Sequence, residues 1–213
     1  MIQIKNAVEL EKMRRACAIS AAALKAGGAA IEPGISTAEI DKIIYDFIVR
    51  HGARPNFLHL YGFPATACIS VNDTVIHGIP SHSQKIRPGD IVSIDTGCKI
   101  DGFNGDNACT FACGKLDKEA QRLLDVTKES LHRGIAAAQA GARIGDIGHA
   151  VQSYVEENGF SVVRAFVGHG VGKELHEDPE VPNYGHPGRG PRLVPGMCIA
   201  IEPMVNQYKY DVK

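Results

Sequence analysis

The spacing of apolar positions divides this chain into four helices and a smaller set of strands. Leu10, Met13, Cys17 and Leu24 recur at helical intervals behind an Asn6/Glu9 pair that reads as a capping box. Ser36 and Glu39 form a second box. Ile40, Ile43, Ile44, Phe47 and Ile48 then line one face, and Gly52 lies past the end. A third helix is expected through Ala120, Leu124, Leu131, Ile135 and Ala138. A fourth runs through Ile144, Ile147, Val151, Tyr154 and Val155, with Asn158-Gly159 as its stop signal. Apolar, β-rich runs predict strands over 67–71, 91–95, 107–113, 162–167 and 198–205. The Asp101-Gly102 and Asn104-Gly105 signals turn 91–113 into a hairpin, and the Pro- and Gly-rich stretch 178–196 reads as loop.

The same pattern returns after 107 residues. Gly34-Ile35 aligns with Gly141-Ala142, Ile40 with Ile147, Phe47 with Tyr154, and Gly52 with Gly159. The segment from Arg87 to Asp95 (RPGDIVSID) aligns with that from Val194 to Glu202 (VPGMCIAIE). A period this long indicates a two-fold internal duplication rather than a solenoid. A single domain over 1–213 is expected, with internal halves of about 1–106 and 107–213.

Composition narrows the class. A chain of 213 residues, 44% apolar and 22% charged, can bury a core and reads as soluble and globular. A net charge of −1 gives no bulk electrostatic case for nucleic acid or membrane. No apolar run approaches the roughly 20 residues needed to span a bilayer. The opening MIQIKNAVELEKMRR has no apolar signal-peptide core, so the cytoplasm is the expected compartment. The six cysteines form no C-x-x-C pair and are expected to be reduced and mostly buried; Cys109 and Cys113 share strand parity.

Chemistry concentrates on a few positions. Asp95 and Glu202 close the two repeated strands. A carboxylate ending a buried strand is costly unless a cation or hydrogen bonds satisfy it. One such acid could simply reach solvent; two at matching positions weaken that alternative. Asp106 follows Asp95 across the turn. Two carboxylates that close either share a proton or hold a metal, although Gly-Asp is also ordinary turn chemistry. His169 is flanked by Gly168, Gly170 and Gly172, which allow close backbone packing and leave the imidazole uncrowded. Several carboxylates with one imidazole suit Mn, Fe, Co or Zn. His77, within an apolar stretch, and His176, seven residues after His169, could donate to a substrate carbonyl or shuttle a proton; structural roles stay open for both. His51, His59, His82, His132, His149 and His186 read as surface or structural. There is no H-E-x-x-H, G-x-S-x-G or Walker A motif, and GHGVG is not a dinucleotide fingerprint.

Taken together, HGIP at His77, SIDTGCKIDGFNGD from Ser93 to Asp106, GHGVG from Gly168, LHEDP from Leu175 and PGMCIAIEPM from Pro195 resemble type I methionine aminopeptidases, and the likeness runs from end to end. The resemblance implies an α/β (α+β) pita-bread fold, with two pseudo-symmetric αββ halves around a central metal site. It implies two divalent ions (Co, Mn, Fe or Zn), with Asp95 chelating one, Asp106 bridging both, and His169 and Glu202 binding the other. Glu202 would also be the general base. His77 and His176 would contact substrate, and Phe57, Leu60, Phe63 and Cys68 would line the pocket for the methionine thioether. The implied reaction removes the N-terminal methionine of nascent polypeptides when the next residue is small. A monomer is expected, with the ribosome as a candidate partner.

His169 and Glu202 are 33 positions apart, which leaves no room for the helical insertion of type II enzymes. Two other readings stand beside this one: a proline-directed pita-bread aminopeptidase and a non-catalytic module. The family also supplies a fifth ligand, a second bridging glutamate, from a strand near its C-terminus. Here the counterpart of Asp106 at offset 107 is Lys213, the last residue. An incomplete second half, weakened metal binding and reduced stability are therefore expected.

Overall fold

A computed structural model of the chain describes residues 1–212. The element order is α1 (Ala7–Ala29), α2 (Thr37–Arg50), β1 (Arg54–Pro55), β2 (Ala67–Val71), β3 (Ile91–Ile100), β4 (Phe103–Ala112), α3 (Lys118–Ala137), α4 (Ile144–Glu157), β5 (Ser161–Val162), β6 (Gly168–Gly170), β7 (Glu177–Val181) and β8 (Val205–Asn206). They fall into two compact units. The N-terminal unit holds Ala7–Asp117 and Gly172–Leu175; the C-terminal unit holds Met1–Asn6, Lys118–Val171 and the chain from His176 onward. Among the described residues no helix is long and apolar enough to cross a membrane.

In the N-terminal unit the long strand β3 pairs with β1 and β2 along one side and with β4 along the other, all antiparallel. Alternate residues of a strand face opposite sides. Val92, Ile94 and Cys98 enter a core with Ile40, Ile44 and Ile48 of α2 and Ala16, Ala23 and Leu24 of α1. Burying each of those isoleucines contributes about 1.5–3 kcal/mol. The α1 face is lined by small residues, so helix and sheet approach closely: a Cβ on Gly105 would lie 2.4 Å from the Ala16 backbone. Ser36 caps α2 with both arms of the expected box in place, but Ile43 turns outward. The hairpin turn is shorter than its signals suggested. Asp101 and Gly102 alone make it, with φ of 51° and 84°, the two left-handed residues of a type I′ turn. Asn104-Gly105 therefore lies inside β4, where Asn104 is buried and donates to the carbonyls of Gly172 and Lys173.

The C-terminal unit packs α3 on α4. The apolar face expected for α3 is rotated: Val126, Ser130 and Gly134 are buried, while Ile135 is exposed. The reason is close approach. A Cβ on Gly134 would stand 2.9 Å from Val151 Cγ2, so small residues face α4. The strand expected over 162–167 is confined to β5, and His169 sits on a separate strand, β6. The expected strand 198–205 keeps an isolated Gly170–Ile199 bridge and β8. β7 occupies part of the stretch read as loop; its proline hid it. All six cysteines lie among the described residues, and no disulfide joins them. Cys109 is exposed on β4, and Cys113 lies beyond the strand end in the core, so the two do not face alike.

The offset of 107 reappears in the backbone itself. α2 and α4 begin and end 107 residues apart. The bridge Ser36–Lys85 matches Arg143–Arg192. Gly34 N–H donates to Ile86 O at 2.8 Å, and Gly141 N–H to Leu193 O at 2.9 Å. Gly34 and Gly141 have φ of 95° and 93°, Gly52 and Gly159 of 73° and 79°, and Gly89 and Gly196 of 89° and 92°. The counterpart of Asp106 in this scheme, residue 213, lies outside the described residues.

Candidate metal and substrate site

The β3 register decides what the N-terminal unit offers. Asp95 stands opposite Cys68 on β2 and Ala108 on β4, and Asp106 stands opposite Gly97. Asp106 is two residues from Ala108, so it shares Asp95's face, on the side away from the helices. Diagonal neighbours in such a ladder lie about 7 Å apart, within reach of one cation. Asp106 is thus a strand residue, and the turn alternative falls away.

Cys68 on the same face is buried. Burial, and then the charges of Asp95, Asp106 and Asp41, push its thiol up to about 12, so it is neutral at physiological pH. It acts as apolar wall rather than thiolate donor. Phe57, Cys68 and Leu175 form one buried cluster, with Leu60 and Phe63 packed against it. All four residues expected to line a pocket are therefore together. Leu175 was missed, although its place just before His176 in LHEDP was a signal. The loop carrying the aromatic residues folds back on itself: His59 N–H donates to Phe63 O at 2.8 Å and Leu60 N–H to Phe57 O at 2.9 Å.

His77 is exposed, in a left-handed conformation with φ 58°. Its loop is pinned along β2. Ile69 N–H donates to Gly78 O at 2.8 Å, and Gly78 N–H to Ser70 Oγ at 3.0 Å.

In the C-terminal unit, β6 pairs with β7 and a bulge falls between His169 and Gly170. The glycines around His169 now have a reason. A Cβ on Gly168 would lie 2.3 Å from Ala200 O, and one on Gly170 2.2 Å from Asp178 O. His169 Nδ1 is 2.8 Å from Gly170 O; a carbonyl only accepts, so Nδ1 carries the hydrogen. That leaves Nε2 facing Glu202 Oε1 at 3.3 Å, with the side chains 13% and 31% exposed. A neutral imidazole nitrogen and a carboxylate oxygen repel unless a proton or a metal ion lies between them. A backbone carbonyl holding the far nitrogen is the usual support for a ligating histidine. The His176 ring meets the His169 ring edge-on, 4.5 Å between centroids. Asn183, fully buried, donates from Nδ2 to the Glu202 carbonyl at 2.6 Å. No motif marked Asn183, which lies in the stretch read as loop.

The expected ligands thus occur as two pairs, one in each unit. Among the described residues no ready-made group of three or more His, Cys, Asp or Glu side chains is found. Taken by itself, each pair (two carboxylates in one unit, an imidazole with a carboxylate in the other) is made of donor types that suit divalent transition ions. The six histidines set aside are all exposed.

Residues 11–212 match the profile of metallopeptidase family M24. Over all 213 residues the chain is 53% identical to a methionine aminopeptidase of Clostridium perfringens and spans 85% of that protein. The crystal structure of methionine aminopeptidase from Thermotoga maritima superposes with a TM-score of 0.98 at 41% identity, covering 100% of this chain and 86% of that one. A prolidase from Pyrococcus horikoshii shares the fold more distantly, with a TM-score of 0.81 at 25% identity over 94% of this chain and 55% of its own. The common architecture is the pita-bread fold.

Proposed function

The chain belongs to metallopeptidase family M24, and we propose that it removes the N-terminal methionine of nascent polypeptides, preferring a small second residue, by attack of water at a centre of two divalent ions (Co, Mn, Fe or Zn). The observation that carries this reading is the register: Cys68, in the apolar cluster with Phe57, Leu60, Phe63 and Leu175, stands directly opposite Asp95. An unbranched thioether fits such a cluster, and the adjoining carboxylate lies one strand away. The curated methionine aminopeptidase at 53% identity supports the same substrate.

Asp95, Asp106, His169 and Glu202 are the proposed ligands. Bound there, divalent ions would supply Lewis acidity to the scissile carbonyl and lower the pKa of water. Glu202 is the proposed general base, its backbone held by Asn183. His77 and His176 donate to the substrate carbonyl or handle the amide proton. Phe57, Leu60, Phe63 and Cys68 exclude water from the methionine side chain. The reading carries with it a cytoplasmic monomer acting on polypeptides as they are made.

The test uses metal-free protein, re-loaded with Co, Mn, Fe or Zn, on Met-Gly and X-Pro peptides. Metal-dependent release of free methionine from Met-Gly peptides is expected. Cleavage of X-Pro peptides instead, or no metal-dependent release, would reject the reading.

A further inference from the structure

Glu177 follows His176 directly, and its carboxylate is 2.6 Å from Lys5 Nζ. Both side chains are withdrawn from solvent, at 4% exposure for Lys5 and 8% for Glu177. Lys5 is itself clamped. Its N–H donates to Gly196 O at 2.8 Å, and its Nζ also reaches Gln3 O at 3.3 Å. A Cβ on Gly196 would stand 2.7 Å from Lys5 O, so the backbone beside Lys5 admits no side chain.

Stability alone does not account for such a pair. Stripping water from an ammonium and a carboxylate costs about as much as their attraction returns, and two apolar residues of similar size often do better. What a buried pair does supply is a fixed geometry. Glu177 opens β7 and pairs with Gly170, next to His169 across the bulge. Fixing Glu177 therefore fixes the chain that presents the exposed His176 ring to His169.

We propose that Lys5, through Glu177, is a positioning residue for His176. The inference rests on the substrate-handling role given to His176 above. Lys5 carries no motif and lies 172 positions from its partner in sequence, so only the fold reveals it.

The variants K5M, E177Q, K5R, H176A and the pairs K5M/E177Q and K5M/H176A test it in the metal-loaded enzyme on a Met-Gly peptide. K5M and E177Q each leave a buried charge uncompensated and lower the melting temperature. K5M/E177Q removes both charges, leaving only a neutral amide, and recovers part of the lost melting temperature. In that double variant kcat is expected to stay about 10-fold or more below wild type with KM within about 2-fold, since small misplacements of a catalytic group carry penalties of this order. K5R, which keeps the charge, recovers part of kcat. In the H176A background, K5M adds no further loss of kcat. In metal-free K5M/E177Q, amide exchange rises over 175–181 and nowhere else. Recovery of kcat together with stability, additive losses in K5M/H176A, or unchanged exchange over 175–181 would each overturn the proposal. If H176A itself keeps full kcat, the assigned role of His176 is what fails, and that outcome is separate.

Discussion

Replacing Gly78 with alanine puts the loop that carries His77 in conflict with the strand beside it. The added Cβ would stand 2.3 Å from Ile69 O, 2.7 Å from Ile69 C and 2.9 Å from Ser70 Cα. All three are backbone atoms of β2, and β2 is held on its other side by the five-residue ladder to β3. No rotamer change relieves the overlap, so the loop must move by roughly 1 Å to reach ordinary contact distance. That movement strains the hydrogen bonds from Ile69 N–H to Gly78 O and from Gly78 N–H to Ser70 Oγ. Each is worth about 1 kcal/mol, and overpacking costs about 1–3 kcal/mol. A loss of about 2–4 kcal/mol lowers the melting temperature by roughly 5–15 °C in a protein of this size. His77 moves with the loop, and a displacement of about 1 Å costs on the order of 100-fold in kcat. Thermal melting of metal-free G78A and methionine release by the loaded protein measure the two effects. A melting temperature within about 2 °C of wild type and kcat within about 2-fold would refute the close approach and the role built on it.

Other outcomes follow from single contacts. The Glu39 carboxyl is lowered from 4.5 to about 2 by the Ser36 hydroxyl and N–H and then by Lys85. A depressed acid stabilises above its unfolded value, so the melting advantage of wild type over E39Q should be constant above pH 4.5 and disappear as pH falls through about 2. The half-buried Asp41 carboxylate accepts from Thr66 N–H and Ala67 N–H at 2.9 and 2.8 Å; D41A should cost about 1–3 kcal/mol in urea titration by stranding both donors. On the paired helices, I135A should change stability by less than about 0.5 kcal/mol, since Ile135 is exposed. I147A, at a fully buried position of α4, should cost about 2–5 kcal/mol. H169A should reduce bound metal per chain in elemental analysis, and unchanged stoichiometry would remove His169 from the ligand set.

The sequence by itself determined the four helices, the hairpin, the internal duplication and the identity of the candidate ligands. These signals are local. The box of Ser36 and Glu39, the Asp101-Gly102 turn and the glycines at Gly34 and Gly141 act within a few residues of where they are read. The repeat multiplies them, because each half corroborates the other. What the tertiary structure decided depends on partners remote in sequence. Which face of α3 is most buried was settled by how closely Gly134 lets it approach Val151, which rotates the helix so that Leu124 and Leu131 are half-buried and Ile135 is exposed. The sheet register, not the Gly-Asp dipeptide, made Asp106 a strand residue beside Asp95. Leu175 joins Phe57 and Cys68 across more than a hundred residues, Asn183 reaches the Glu202 backbone from a loop without a motif, and Lys5 meets Glu177 only once the chain has closed on itself. Desolvated pairs and close backbone approaches leave no periodic trace in a sequence, because their partners are chosen by packing rather than by spacing.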